Sequence, residues 1–246
     1  MLWSLQRQLL YALSVVGIFV ALIVGVYFLF FYSTPTCFDG KENQDETGVD
    51  CGGVCSRMCV APNVTPLWAR SVEATPGVHH AVSLIRNPDA GAQGTISYVV
   101  SLFDAENVLI AKKEGKTFLL PGEIFPLFVP NIVVGERVVA RTFVDVTPRT
   151  WDRAEREIQS VRVLNWSFDE DRTKLTAVVE NYGALPVGEV VVTALIFNKE
   201  ETLIGASQTR IDALDARKRK NAVFTWPTPF PDTTSRIDII PRVTPR

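Results

Sequence analysis

From Leu9 to Tyr32 the chain runs for 24 residues without a charged side chain. As a helix, at about 1.5 Å rise per residue, such a stretch reaches roughly 36 Å and crosses a hydrocarbon core about 30 Å thick. A secretory leader would carry a shorter apolar run and a small-residue cleavage site, and residues 30–36 offer neither. The run is therefore expected to be an uncleaved transmembrane helix over residues 9–32, with residues 1–8 as a short cytoplasmic end. Arg7 is the one charge on the first flank, whereas Asp39, Glu42, Asp45, Glu46 and Asp50 crowd the other. The positive-inside bias then leaves the rest of the chain outside the cytoplasm. Trp3 at one end and Tyr27, Phe28, Phe30, Phe31 and Tyr32 at the other are placed for the membrane interfaces. Gly17, Ala21 and Gly25 fall four apart on one face, a spacing that lets a second helix approach and gives a homodimer as one expectation.

All four cysteines, Cys37, Cys51, Cys55 and Cys59, lie within 23 residues, and none occurs in the remaining 187. So short a stretch cannot build a hydrophobic core, and on an oxidising side of the membrane an even cysteine count reads as two disulfides. Three pairings are open at this level, and a four-thiolate zinc site is the competing reading. Between the first two cysteines, Asp39, Asn43, Asp45, Glu46 and Asp50 alternate with glycines on a tightly turning chain. Calcium takes six to eight oxygens from such groups. These five are the candidate ligands, against the alternative of a solvated acidic turn. The spacing does not match an EF-hand loop.

The order C-x-D-G-x-x-N-x-x-E-T-x-x-D-C-G-G-x-C, spelled out from Cys37 to Cys55, resembles a cysteine-rich module of extracellular and cell-surface proteins. In that module the acidic positions are akin to the calcium ligands of thrombospondin type 3 repeats. The resemblance covers about a tenth of the chain and implies a surface location, with calcium as the cofactor. Residues 33–65 are expected to form this module and its linker.

From Leu67 onward the pattern changes to short runs of Val, Ile, Leu, Phe and Thr separated by turn residues. Alternation over residues 95–103 and 175–179 predicts strands, and residues 151–158 are the one candidate for a helical turn. Shifting the chain by 94 residues aligns Asn87 with Asn181, Ala90 with Ala184, Gly94 with Gly188, Phe103 with Phe197, Glu106 with Glu200, Leu109 with Leu203 and Ile110 with Ile204. Seven identities in 27 ungapped positions predict two copies of one antiparallel β-sandwich, over residues 66–147 and 148–246, each the size of an immunoglobulin-like domain. The strand ending in Asn, the Gly, the Phe-Asp/Asn hairpin and Pro121-Gly122-Glu123 resemble immunoglobulin-like envelope domains of the FxLYD and CARDB types. That resemblance implies a fold and no particular activity. The expected class is thus mainly β: one transmembrane helix, a small disulfide-rich module and two tandem sandwiches.

Little chemistry is written into the chain. His79 and His80 are the only histidines, and their position before a strand favours an exposed edge over a metal pair. Residues 114–117 end like a phosphate-binding loop but lack its first glycine. Nucleophile elbows, zinc helices and dinucleotide fingerprints are missing. With 25 basic against 27 acidic residues, no polyanion such as nucleic acid is expected as a partner. Arg217, Lys218, Arg219 and Lys220 form a basic run suited to anionic lipid or wall polymer, or to a solvated turn. Trp68, Trp151, Trp166 and Trp226 are expected to fill cores or their boundaries, with any exposed one a binding anchor. Asn63 and Asn165 begin glycosylation-type triplets. The sequence points to a non-enzymatic, membrane-anchored cell-surface protein whose sandwiches meet an envelope or extracellular protein or polymer. The alternative is an accessory subunit of a secretion or pilus-type assembly that works through its helix.

Overall fold

The computed structural model describes residues 2–32, 35–154, 160–230 and 234–244. The chain divides into two compact units, Met1–Cys55 and Ser56–Arg246. The first begins with helix α1, Leu2–Phe30. Its apolar side chains are exposed on every side, so nothing within the unit covers them. The helix begins earlier than the charge-free run because one arginine, a good helix former, does not end a helix. The Trp3 side chain lies outside the described residues.

The second unit holds twelve strands: β1 Pro66–Thr75, β2 Val78–Arg86, β3 Ala92–Phe103, β4 Leu109–Leu119, β5 Ile124–Val133, β6 Arg141–Arg153, β7 Val161–Phe168, β8 Lys174–Asn181, β9 Val190–Asn198, β10 Leu203–Ile211, β11 Arg219–Thr225 and β12 Thr234–Val243. They form four antiparallel sheets, β1-β2-β5, β4-β3-β6, β11-β8-β7 and β10-β9-β12. In each half the first, second and fifth strands make one sheet and the third, fourth and sixth the other. Sandwich 1 closes over a core that includes Ile85, Ile96, Leu102, Leu119, Phe125 and Trp151. Sandwich 2 closes over Leu175, Val179, Val190, Val192, Leu214 and Phe224.

Two sequence boundaries move. Residues 151–153 are not helical: they end β6, and Trp151 fills the core at 2% exposure. Residues 155–158, the rest of the expected turn, lie outside the described residues. Thr147 and Pro148 sit inside β6, which pairs with β3 across its length, so the two sandwiches part after Arg153. Proline is tolerated there because β6 is an edge strand, where a missing N–H costs no ladder bond.

The linker ahead of β1 also belongs to sandwich 1. Met58 N–H donates to the Trp151 carbonyl at 2.8 Å, Arg153 N–H donates to the Ser56 carbonyl at 2.7 Å, and Val64 is buried in the core.

A third apolar cluster joins the halves. Val72 and Val82 from β1 and β2 pack with Leu195, Phe197, Leu203 and Ala206 from β9 and β10, flanked by Trp68, Phe128 and Ile240. The outer face of sheet β1-β2-β5 therefore lies on the outer face of sheet β10-β9-β12, giving four stacked layers. Each large side chain buried this way contributes about 1.5–3 kcal/mol of transfer free energy. β9 is consequently covered on both faces, which explains its nearly unbroken apolar run, Val190-Val191-Val192-Thr193-Ala194-Leu195-Ile196-Phe197.

Candidate functional site

Within α1, residues Gln6–Phe30 are long and apolar enough to cross a membrane. Gly17 and Gly25 have open space where a side chain would begin, and Ala21 is exposed, so the small-residue face is uncovered in the single chain. At the far end Tyr27 stacks on Phe31 and Phe28 leans on Tyr32, with ring centres 6.3 and 5.1 Å apart. These are i, i+4 pairs on one helix surface.

In the cysteine-rich segment, Cys37 is joined to Cys55. Cys51 and Cys59 are likewise disulfide-bonded, and no cysteine is free. This resolves the first pairing that the spacing left open and removes the zinc reading, because a sulfur committed to a disulfide is not a thiolate ligand. Glu46 lies within 4.8 Å of Cys37 and Cys55 sulfurs, but the same reasoning excludes that trio as a metal centre.

The acidic side chains of the loop bond largely to its own backbone. Asp39 accepts from Thr36 N–H at 3.1 Å, Lys41 N–H at 2.9 Å and the Asn43 amide at 3.0 Å. These bonds, the one from Asn43 foremost, hold its carboxyl below the usual range. Asp50 accepts from Gly40 N–H through both oxygens at 3.1 Å. Glu46, only 8% exposed, accepts from the N–H groups of Asn43 and Asp50. Asp45 takes a left-handed backbone at φ 64°, a conformation Asp tolerates. Among the described residues, Asn43 Oδ1 is the one buried oxygen of this loop without a hydrogen-bond partner.

The basic run opens β11. Arg219 Nε donates to Glu180 at 2.9 Å, and Lys220 Nζ donates to the Ala213 carbonyl at 2.6 Å, while Arg217 and Lys218 remain exposed in the turn. Arg162 grips Glu180 from the other side through Nε and Nη2, at 3.0 and 2.8 Å. The two arginines hold that carboxyl below the usual range, Arg162 contributing most. Half of the predicted cationic patch is thus engaged within sandwich 2, Arg219 across strands and Lys220 with the preceding loop. His79 and His80 are half-buried, and burial lowers the pKa of both. As neighbours in a strand they point to opposite faces and do not converge on a metal.

The 94-residue alignment picks out two buried latches. Asn87 donates its amide to the carbonyls of Ala92 and Leu120 at 2.8 and 2.7 Å, and accepts from Asp89 N–H. Asn181 donates to Leu185 and Leu214 at 2.8 and 3.0 Å, and accepts from Gly183 N–H. Likewise Asp104 and Asn198 cap the following hairpins from Val108 and Thr202 N–H, and Asn107 and Glu201 take the left-handed residue of each turn at φ 63° and 57°. What reads in sequence as turn chemistry is, for the two asparagines, a buried tie between strand ends.

Sequence reasoning missed the joint between the sandwiches. Arg242 on β12 donates Nε and Nη2 to the two oxygens of Glu123 at 2.6 and 2.9 Å, and Nη2 to the Phe118 carbonyl. Its guanidinium lies 3.9 Å from the centre of the Phe125 ring. Both charged side chains are nearly buried, 13% and 10% exposed. A bidentate, stacked arginine of this kind is oriented on three sides. A lone arginine near a chain end gives no pattern to find in sequence.

Of the tryptophans expected in cores or at their boundaries, Trp151 is buried, Trp68 and Trp226 are half-covered, and Trp166 is 46% exposed on the outer sheet of sandwich 2. No family model matches the chain. No curated protein matches it either. Among solved structures it is similar to a chain described as a beta-galactosidase from Bacteroides fragilis. Identity there is 9%, with 70% of this chain and 34% of that chain covered, at a TM-score of 0.20. This chain spans about a third of that protein's length, and the likeness carries nothing about activity.

Proposed function

We propose that the chain is a single-pass membrane protein with a cytoplasmic N-terminus. It presents two sandwiches outside the cytoplasm to an envelope or extracellular protein or polymer. The observation that carries this reading is the combination of a 25-residue apolar helix with a following segment in which every cysteine is oxidised. Disulfides persist on the oxidising side of a membrane, and Arg7 on the opposite flank agrees with the positive-inside bias. The two halves, ordered alike and latched by Asn87 and Asn181, are read as copies of one binding unit in a tandem repeat. We read the role as structural or binding. On intact cells, added protease should remove the sandwiches while thiol reagents leave all four cysteines unmodified. Protection of the sandwiches until lysis, with freely alkylated thiols, would overturn the topology.

The second reading, an accessory subunit of a secretion or pilus-type assembly, draws on the uncovered Gly17, Ala21 and Gly25 face. Gly17→Leu with Gly25→Leu should then abolish in-cell cross-linking of the helix, as homodimer or to a neighbour, while partner capture by the sandwiches continues. A calcium ion in the acidic loop is supported by one observation, the unpartnered Asn43 Oδ1. Asp39, Asn43, Asp45, Glu46 and Asp50 would hold it, using lone pairs not already given to backbone N–H groups. Calorimetry on the oxidised chain should show calcium uptake that disappears in Asp39→Ala with Asp50→Ala. No heat from the unmodified chain would end that reading.

A further inference from the structure

The joint leaves a cleft of about 260 Å³, bordered by β3, β4 and β5 of sandwich 1 and by β9, β10 and β12 of sandwich 2. That volume suits one small ring, lying just below the range of drug-sized pockets. Three cations border it, Lys116, Arg210 and Arg242. The acids that oppose them number two. Glu123 is held by Arg242, and Glu189 lies 3.7 Å from Arg210. One positive charge is left over, on Lys116, whose ammonium has no partner among the described residues.

Hydrogen-bond donors also remain. Arg242 spends Nε and Nη2 on Glu123 and Phe118, which leaves its Nη1 protons. The Tyr98 hydroxyl has no hydrogen bond among the described residues, and burial raises its pKa, so it stays protonated and able to donate. Gln208 binds Thr193 through its Nε2 at 3.0 Å and keeps its carbonyl oxygen as an acceptor. Phe128 supplies an apolar wall.

We propose that this cleft binds a hydroxylated monocarboxylate the size of one sugar ring, a hexuronic acid, with its carboxylate met by Lys116 and Arg242 and its hydroxyls by Tyr98 and Gln208. A single excess positive charge matches a single carboxylate, and the mix of donors and acceptors matches ring hydroxyls rather than a compact phosphate. The site does not depend on membrane topology, so its test is separate from that of the proposed function.

The test is saturation-transfer NMR and calorimetry on the full chain in detergent micelles, with galacturonic acid as the probe. Saturable binding is expected, about tenfold weaker in Lys116→Ala and about threefold weaker in Tyr98→Phe, because a charge-assisted bond counts for roughly twice a neutral one. Neutral galactose should bind about tenfold more weakly than galacturonic acid, and raised salt should weaken the acid alone. Both variants change side chains that carry no bond in the joint, so folding is retained. Absence of saturable galacturonic acid binding up to about 50 mM, unchanged binding in Lys116→Ala, or acetate binding as tightly as the sugar acid would overturn the proposal.

Discussion

Strands β3 and β9 occupy the same place, the centre of the third-fourth-sixth sheet, one in each sandwich. β3 alternates buried and partly exposed positions along much of its length, whereas β9 is buried at nearly every one. By the 94-residue offset, Ser97, Val99, Ser101 and Phe103 on β3 correspond to Val191, Thr193, Leu195 and Phe197 on β9. The inward sets serve the same purpose in both. The outward sets decide whether the sheet meets water or another sheet. A few side chains on one face therefore separate an end layer from a middle layer, within one strand order.

The largest expected effect comes from the joint's charged clasp. Arg242→Met leaves Glu123 almost buried with the Leu120 N–H as its remaining hydrogen-bond donor, and should cost about 3–5 kcal/mol. Adding Glu123→Gln should recover most of that loss. Thermal unfolding of the two variants checks this, and equal stability of both would show that the clasp does not hold the joint. Next, Leu195→Ala should cost about 2–4 kcal/mol, while Ser101→Ala at the matching place on β3 should stay within about 0.5 kcal/mol of wild type. Similar losses at both sites would dissolve the contrast between the strands.

The latches should behave alike. Asn87→Ala and Asn181→Ala each strip two carbonyls and one N–H of partners, and Asn181→Ala also strips the Ser160 hydroxyl of its acceptor, at about 1–3 kcal/mol for each group left dry. Hydrogen exchange should show the loss confined to the altered sandwich if the halves open separately, and spread through both if the joint makes them one cooperative body.

The smallest effect is pH dependence, and it distinguishes the halves. Sandwich 1 holds both histidines and sandwich 2 holds none. His79 and His80 have folded pKa values lowered by burial from 6.5. Below 6.5 the unfolded chain binds protons first, so stability is complete above that pH and falls as pH drops toward the folded values. Exchange rates should therefore rise in sandwich 1 first. Below about 4.5 carboxylates on both halves follow, Glu114 beside Lys112 and Glu180 between its arginines, each with a lowered pKa. Acid loosening that begins in sandwich 2 would contradict the assignment.

Much of this architecture was legible because it rests on local rules. The apolar helix, the strand class, the two sandwiches and the hairpin caps follow from period, turn chemistry and the 94-residue offset. The break near Thr147 and Pro148 was misplaced because proline marks edges as well as loops. The joint was invisible for a different reason. Alternation predicts one buried face, and the unbroken apolar run of β9 was a sign of two, but its partner face on β1 and β2 is more than a hundred residues away. The acidic loop was legible as oxygen-rich, yet its composition could not show that most of those oxygens turn inward to the backbone.

The joint has a geometric consequence. It mates the first-second-fifth sheet of one sandwich with the third-fourth-sixth sheet of the next, so each sandwich retains an unused face of the opposite kind. Such a head-to-tail rule has no built-in closure, and repeated between molecules it would grow a fibre. The two outer faces mix polar with apolar groups: Ser97 and Ser101 stand beside Val99 and Phe103 on β3, and at the other end Glu180, clamped by Arg162 and Arg219, shares its sheet with the exposed Trp166. Burying such a face against a second molecule would cost the desolvation of those polar groups, a cost that the apolar cluster at the joint does not carry.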